Sequence, residues 1–446
     1  MGEKFLDIVR WHHERQSKFA CDAKTLAIIL RAGVMMFQGN STATVAMLNA
    51  ATILILDQTG KVEDDEDWAS SSFLSSCNEF EVSNYLFAFA LAKRFDEEVF
   101  TSLTDQMAED YILDSCSPSS ASRAMWSCSM ILSLDGANSH ISNSDNKQNE
   151  FALSISGESF LHERQIDLFH QLAPLLLFSP LSPTDTSCAM WAMAKAQYVI
   201  DKGIFDQLAM SLASEAMLKR SNTRLVSQAL WSCGKMVEFE DSKIITRVLD
   251  DRGGDADNAS ENAINLPPYV KCADEYIRFL ITNQAQLTPK HVCQAIWAIG
   301  RLRLSDYFLV QKMVDIASHL CHKLNAREIA NIVWGLSKVD YDKPEVVSEF
   351  IYHAIATPKD ITAQEAANML FALGKLQIHE KEAFESLSSI LRNQLHEATS
   401  QAIANALWAH EVVGIEPPPE LLSTWAQDRL GMLVLGTVAD LNNDNR

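Results

Sequence analysis

Five basic residues recur at one register along the chain. Lys195, Lys235, Arg301, Lys338 and Lys375 each stand four residues after an aromatic: Trp191, Trp231, Trp297, Trp334 and Phe371. Three residues before the aromatics stand Asn84, Arg123, Cys188, Gln228, Gln294, Asn331, Asn368 and Asn405, six of the eight being side-chain amides. Cations repeated at helix-to-helix spacing, about 10 Å, could track a phosphate backbone. They could equally complement the negative end of each helix dipole. Asn is a poor mid-helix residue, so an Asn and Gln column needs a reason. Amides offer both a donor and an acceptor, which suits either base edges or an internal ladder bonded to the next repeat's backbone. Both readings of each column stay open at this stage. Gln228, Gln294, Asn331, Asn368 and Asn405 are the candidate base contacts; the five cations are the candidate phosphate contacts.

These columns are positioned by a repeat. The shared aromatics are Phe87, Trp126, Trp191, Trp231, Trp297, Trp334, Phe371 and Trp408, spaced 39, 65, 40, 66, 37, 37 and 37 residues apart. The two long spacings equal one period plus about 25 to 30 inserted residues. A degenerate ninth copy is expected around Leu48. Nine residues before each aromatic stand Asn78, Ser117, Ser182, Asn222, Thr288, Asn325, Thr362 and Thr399, all good helix N-caps. Pro118, Pro183 and Pro289 follow three of them, at the first helical position. Asn325 with Glu328 and Thr362 with Glu365 have capping-box spacing, and Leu181, Leu287, Leu324 and Ile361 can staple just before the caps.

First helices are therefore expected to begin near residues 79, 118, 183, 223, 289, 326, 363 and 400. The residue after each aromatic is small, and three after it seven of eight are Ala, Ser or Gly, so helices can approach closely there. That placement predicts the rings as core rather than as stacking platforms. A second amphipathic stretch, such as PEVVSEFIYHAI after Lys343, completes each unit. Two helices per 37 to 40 residues imply an all-α chain, an α-solenoid or superhelix. The expected organisation is an N-terminal helical cap with an acidic linker over 1–67, about eight repeats over 68–430, and a tail over 431–446. Loop insertions are expected near 134–157 and 250–266, where Asp, Asn, Ser and Gly concentrate.

Composition narrows the function classes. With 37 basic and 58 acidic residues the net charge is −21, which argues against a polycation coating duplex DNA through bulk charge. The acids are unevenly spread: residues 285–430 hold 13 basic and 17 acidic side chains, a net of only −4. Low Gly (16) and Pro (12) counts disfavour turn-rich β architectures. Nine scattered Cys without a C-x-x-C pair fit a reducing compartment, with thiols acting as small core residues. The apolar run 45–56 is short of the roughly 20 residues a spanning helix needs, so no membrane insertion is expected. No targeting address is legible at the N-terminus. Phosphate-loop, dinucleotide, nucleophile-elbow and zincin motifs do not occur. His319, Cys321 and His322 bring two ligands to one helical face without evident further ones. The expectation is a non-enzyme without cofactor or metal.

Helices reading A-N-x-L-W-A-x-[AG]-K-[LV], at 37 to 40 residues per repeat, resemble those of the octotricopeptide-repeat proteins and their FAST-kinase-like relatives. The final unit adds EPPPELL at 416–422, similar to the Pro-Pro-Pro-Glu-Trp signature of one repeat class, with Leu421 at the Trp position. The resemblance covers roughly residues 78 to 430, and the nuclease-like RAP module of many relatives is not read in it. It implies an armadillo-like helical repeat that binds single-stranded RNA in a mitochondrion or chloroplast, acting in RNA processing, stability or translation. The competing expectation is a HEAT- or armadillo-type scaffold binding other proteins, a basic partner above all, with a cytoplasmic home as the alternative.

Overall fold

Each first helix begins where its cap stands. The computed structural model describes residues 23–37, 42–56, 73–94, 96–142, 160–198, 201–239, 266–304 and 306–424. Within these, side-chain oxygens of Asn78, Ser117, Ser182, Asn222, Thr288, Asn325, Thr362 and Thr399 all accept a first-turn backbone N–H. All eight expected helix starts are observed. Capping boxes close at Asn325–Glu328 and Thr362–Glu365, and also at Asn78–Glu81 and Thr288–His291. The four apolar residues before the caps are buried.

Among the described residues every regular element is a helix, and the chain divides into two compact units, 1–221 and 222–446. In the first unit the helices are α1 (Ala23–Phe37), α2 (Thr42–Leu56), α3 (Glu79–Leu91), α4 (Glu97–Met107), α5 (Asp110–Ser115), α6 (Pro118–Ser142), α7 (Phe160–Leu172), α8 (Pro183–Lys195), α9 (Lys202–Ala213) and α10 (Glu215–Leu218). Helices α1, α3, α6 and α8 pack in succession, while α2, α4 and α7 pack behind them. The second unit holds α11 (Thr223–Phe239), α12 (Pro268–Thr282), α13 (Pro289–Leu302), α14 (Tyr307–His319), α15 (Ala326–Lys338), α16 (Pro344–Ile355), α17 (Ala363–Lys375), α18 (Lys381–Asn393) and α19 (Ser400–Val413). There α11, α13, α15, α17 and α19 pack in succession. Each of the first four also packs against its own second helix, α12, α14, α16 or α18.

Two expectations need revision. The degenerate N-terminal copy has α1 as its first helix, since α1 packs on α3; Leu48 lies on α2, the second helix. Helix α6 runs to Ser142, so the insertion expected as a loop from residue 134 opens as a helical extension. A single mid-helix Gly136 costs only about 1 kcal/mol, too little to end a helix already propagating. The remainder of that insertion, the segment 250–265, the acidic run 62–68 and the tail after 424 lie outside the described residues.

The helix ends share a feature of their own. Six residues after the aromatic, Lys93, Gln197, Arg303, Asp340, Gln377 and Gly414 all adopt positive φ, between 47° and 74°. This left-handed residue returns the chain toward the second helix. Only one of the six is Gly, so composition does not advertise the turn. No helix among the described residues is long and apolar enough to cross a membrane.

Candidate nucleic-acid interface

Helices α13, α15 and α17 are each walled in on three sides: by the first helix before, the one after, and their own second helix; α11 packs on α13 and α12. What remains open is one line. In α13 the residues past Pro289 that reach solvent are Lys290, His291, Gln294, Trp297 and Arg301; in α15 they are Arg327, Glu328, Asn331, Trp334 and Lys338. In α17 they are Gln364, Glu365, Asn368, Phe371 and Lys375, and in α11 up to Met236 they are Arg224, Gln228, Trp231 and Lys235. Positions −7, −3, 0 and +4 about the aromatic share one face because side chains three and four apart stack along a helix. The open line therefore reads cation, amide, ring, cation in three copies, and amide, amide, ring, cation in α17. The cations Arg224, Lys290 and Arg327 at position −7 were not singled out by sequence; their common spacing from the Trp residues was the available signal.

The rings are not core. Phe87, Trp126, Trp191, Trp231, Trp297, Trp334 and Phe371 are half-buried, and Trp408 is 41% exposed. Small neighbours do bring the helices together, as expected. That close approach leaves the bulky rings at the edge, where several lie in pairs against the next. Centroids are 6.0 Å apart for Trp231–Trp297, 6.3 Å for Trp297–Trp334 and 5.2 Å for Phe371–Trp408. In the first unit Phe87, Trp126 and Trp191 are similarly joined, at 5.0 and 6.0 Å.

The cations sit between the rings. The Arg301 guanidinium lies 5.7 Å from the centroids of both Trp297 and Trp334. Lys338 Nζ lies 5.2 Å from Trp334 and 4.4 Å from Phe371. Each such contact is worth about 0.5–2 kcal/mol, depending on desolvation. The Lys338 ammonium is pushed below its ordinary value, by burial first and then by Arg303, Arg301 and Lys375; Asp340 opposes this. Crowding four cations around one helix end raises the local affinity for anions. Lys375 pairs with Asp340 at 3.0 Å, both side chains being exposed, so that bridge is weak and readily exchanged. Arg301, Lys338 and Lys375 also stand in the last turns of their helices, so dipole complementation and an outward-facing charge coexist.

The amides divide into two kinds. Gln294 accepts a hydrogen bond from Ser227 of α11 at 3.4 Å, and Asn331 is hydrogen-bonded to the Cys293 thiol of α13. Asn368 instead accepts from Gln364 Nε2 at 2.9 Å, and Asn405 from Gln401 Nε2 at 2.8 Å, each four residues back on its own helix. These four bonds run to side chains rather than to the backbone of the next repeat. Gln228 is half-buried on the same line.

In the first unit the line is different. Positions +4 in α3 and α6 are Leu91 and Met130, so Lys195 on α8 is the one cation of that column there. Asn84 is fully buried, donates to the Phe80 carbonyl and accepts from Arg31. Arg123 donates to Ser83 and lies over Phe80. Burial pushes the thiols of Cys77, Cys116, Cys128 and Cys293 up to about 12, which leaves them protonated at neutral pH. Among the described residues no group of three His, Cys, Asp or Glu side chains could hold a metal ion. No family model matches the chain, and no curated protein matches it either.

Proposed function

We propose that the helical rows stack as an α-solenoid that binds single-stranded RNA along the open line of its first helices. One observation carries this reading. The solvent-reaching positions of α11, α13, α15 and α17 form three rows, with rings and amides in the middle and cations on either flank. Phosphates pair with Lys235, Arg301, Lys338 and Lys375 on one flank and with Arg224, Lys290 and Arg327 on the other. Unpaired bases meet the half-exposed rings and the amides between them, the two contacts that single strands offer and duplexes withhold. The excess of acid elsewhere in the chain discourages unspecific binding. By resemblance to octotricopeptide-repeat proteins, the setting is a mitochondrion or chloroplast and the task is transcript processing, stability or translation.

The net charge of −21 favours one alternative, a scaffold for a basic protein partner. Ultraviolet crosslinking in cells, followed by mapping of the modified peptides, tests the two. RNA adducts on the peptides holding Trp231, Trp297, Trp334 or Phe371 support the RNA reading. Adduct-free peptides, together with chemical crosslinks from this face to a lysine-rich protein, support the scaffold.

A further inference from the structure

The open line of the second unit changes character along its length. In α11, α13 and α15 the position seven residues before the aromatic is Arg224, Lys290 or Arg327, which can only donate hydrogen bonds. In α17 and α19 it is Gln364 and Gln401, both exposed. Each Gln donates from Nε2 to the carbonyl oxygen of the Asn four residues on, Asn368 or Asn405, at 2.9 and 2.8 Å. That bond sets the orientation of both amides. It directs the Asn N–H groups and the Gln carbonyl oxygen to partners outside the pair, one donor beside one acceptor. The same pair recurs in two adjacent helices, beside rings whose centroids are 5.2 Å apart.

Building on the RNA reading above, we propose that Gln364–Asn368 and Gln401–Asn405 are two base-reading pairs that select the same base at two adjacent positions of the strand. A donor and an acceptor side by side match the exposed edge of an unpaired base, and helical-repeat proteins can read one base with two or three side chains. Identical pairs on identically placed helices present identical edges, so the bases they accept are identical. The cationic copies on α11, α13 and α15 hold the neighbouring phosphates without regard to sequence.

The test is selection from a randomised single-stranded RNA pool by the full chain, its Asn368→Ala variant and its Asn405→Ala variant. Thermal melts establish that all three are folded. The wild type should enrich a sequence containing two adjacent identical bases. Each variant should relax one of those two positions, and only that one, with a loss of roughly 10-fold in discrimination. A sequence unchanged in both variants, two different bases at the controlled positions, or bound RNA without any enriched sequence would overturn the assignment while leaving RNA binding intact. A wild type that retains no RNA at low salt would overturn RNA binding itself, and this assignment with it.

Discussion

Gly300 of α13 meets Gly335 of α15 so closely that a Cβ built on Gly300 would stand 2.5 Å from the Gly335 Cα. A Cβ on Gly335 would in turn stand 2.5 Å from the Ile296 carbonyl oxygen. The obstacles are backbone atoms, which cannot rotate away. This contact sets how near the first helices lie, and hence how the rings and cations beside it are spaced.

Gly335→Ala should therefore destabilise the second unit by about 1–3 kcal/mol through overpacking. Gly203→Ala is the opposite case: nothing lies within 4 Å of its Cβ, near the start of α9. It should stabilise by up to about 1 kcal/mol from helix propensity. Urea melts followed by circular dichroism measure both, and equal effects would remove the close-approach argument.

The left-handed turn six residues after six of the eight aromatics gives a second paired prediction. Gln377 holds φ at 53°, which costs a non-glycine residue roughly 1–2 kcal/mol. Gln377→Gly should be neutral or stabilising despite the added chain entropy. Gly414, at φ 74° with open space around it, should lose about 1 kcal/mol on replacement by Ala, from backbone strain alone. The check is the shift in unfolding midpoint, which should differ in sign, or at least in direction of rank, between the two.

How much of this was legible in the sequence follows from which interactions are local. Caps act within one turn, and so Asn78 through Thr399 marked the first helices of all eight clear copies, while the degenerate N-terminal copy was misplaced. The small residues after each aromatic pointed to close helix contact, which Gly300 and Gly335 show. The burial of the rings was misjudged, because close backbones can either enclose a ring or push it to the rim. That choice depends on the neighbouring helix, not on the residue's own flanks. The turns at Arg303, Asp340 and Gln377 were missed because tertiary packing, not glycine, holds them left-handed. The position −7 cations were less legible because only Arg224, Lys290 and Arg327 carry one among the eight copies, which makes a broken column.

Ring exposure changes what truncation should cost. Phe350 is 1% exposed on α16, and Phe350→Ala should lose about 3–5 kcal/mol. Trp334→Ala removes a larger but half-buried ring, and should lose less than Phe350→Ala. Denaturant midpoints compare the two directly; a greater loss at Trp334 would return that ring to the core.

His410 supplies a pH signature. It is buried, with Nε2 2.7 Å from Ser388 Oγ and Nδ1 3.0 Å from the Ile415 carbonyl oxygen. Burial pushes its imidazole below the ordinary value of 6.5, against a smaller opposing effect of the Ile415 contact. The unfolded chain thus takes up its proton at a higher pH than the folded one. The stabilisation is complete above the unfolded value and is lost as pH falls through it toward the folded value. Wild type should lose more stability than His410→Gln between pH 7.5 and pH 5.5. Parallel pH profiles of the urea midpoint would contradict this.

The most direct measurement of the central claim is a salt titration of single-stranded RNA affinity. It compares wild type with a variant carrying Ala at Lys235, Arg301, Lys338 and Lys375. Each phosphate contact on a single strand contributes about 0.7 to the slope of log K against log salt. Losing four contacts should flatten that slope by about 3, and weaken binding similarly for all sequences. An unchanged slope, or no RNA binding by wild type at low salt, would contradict the account.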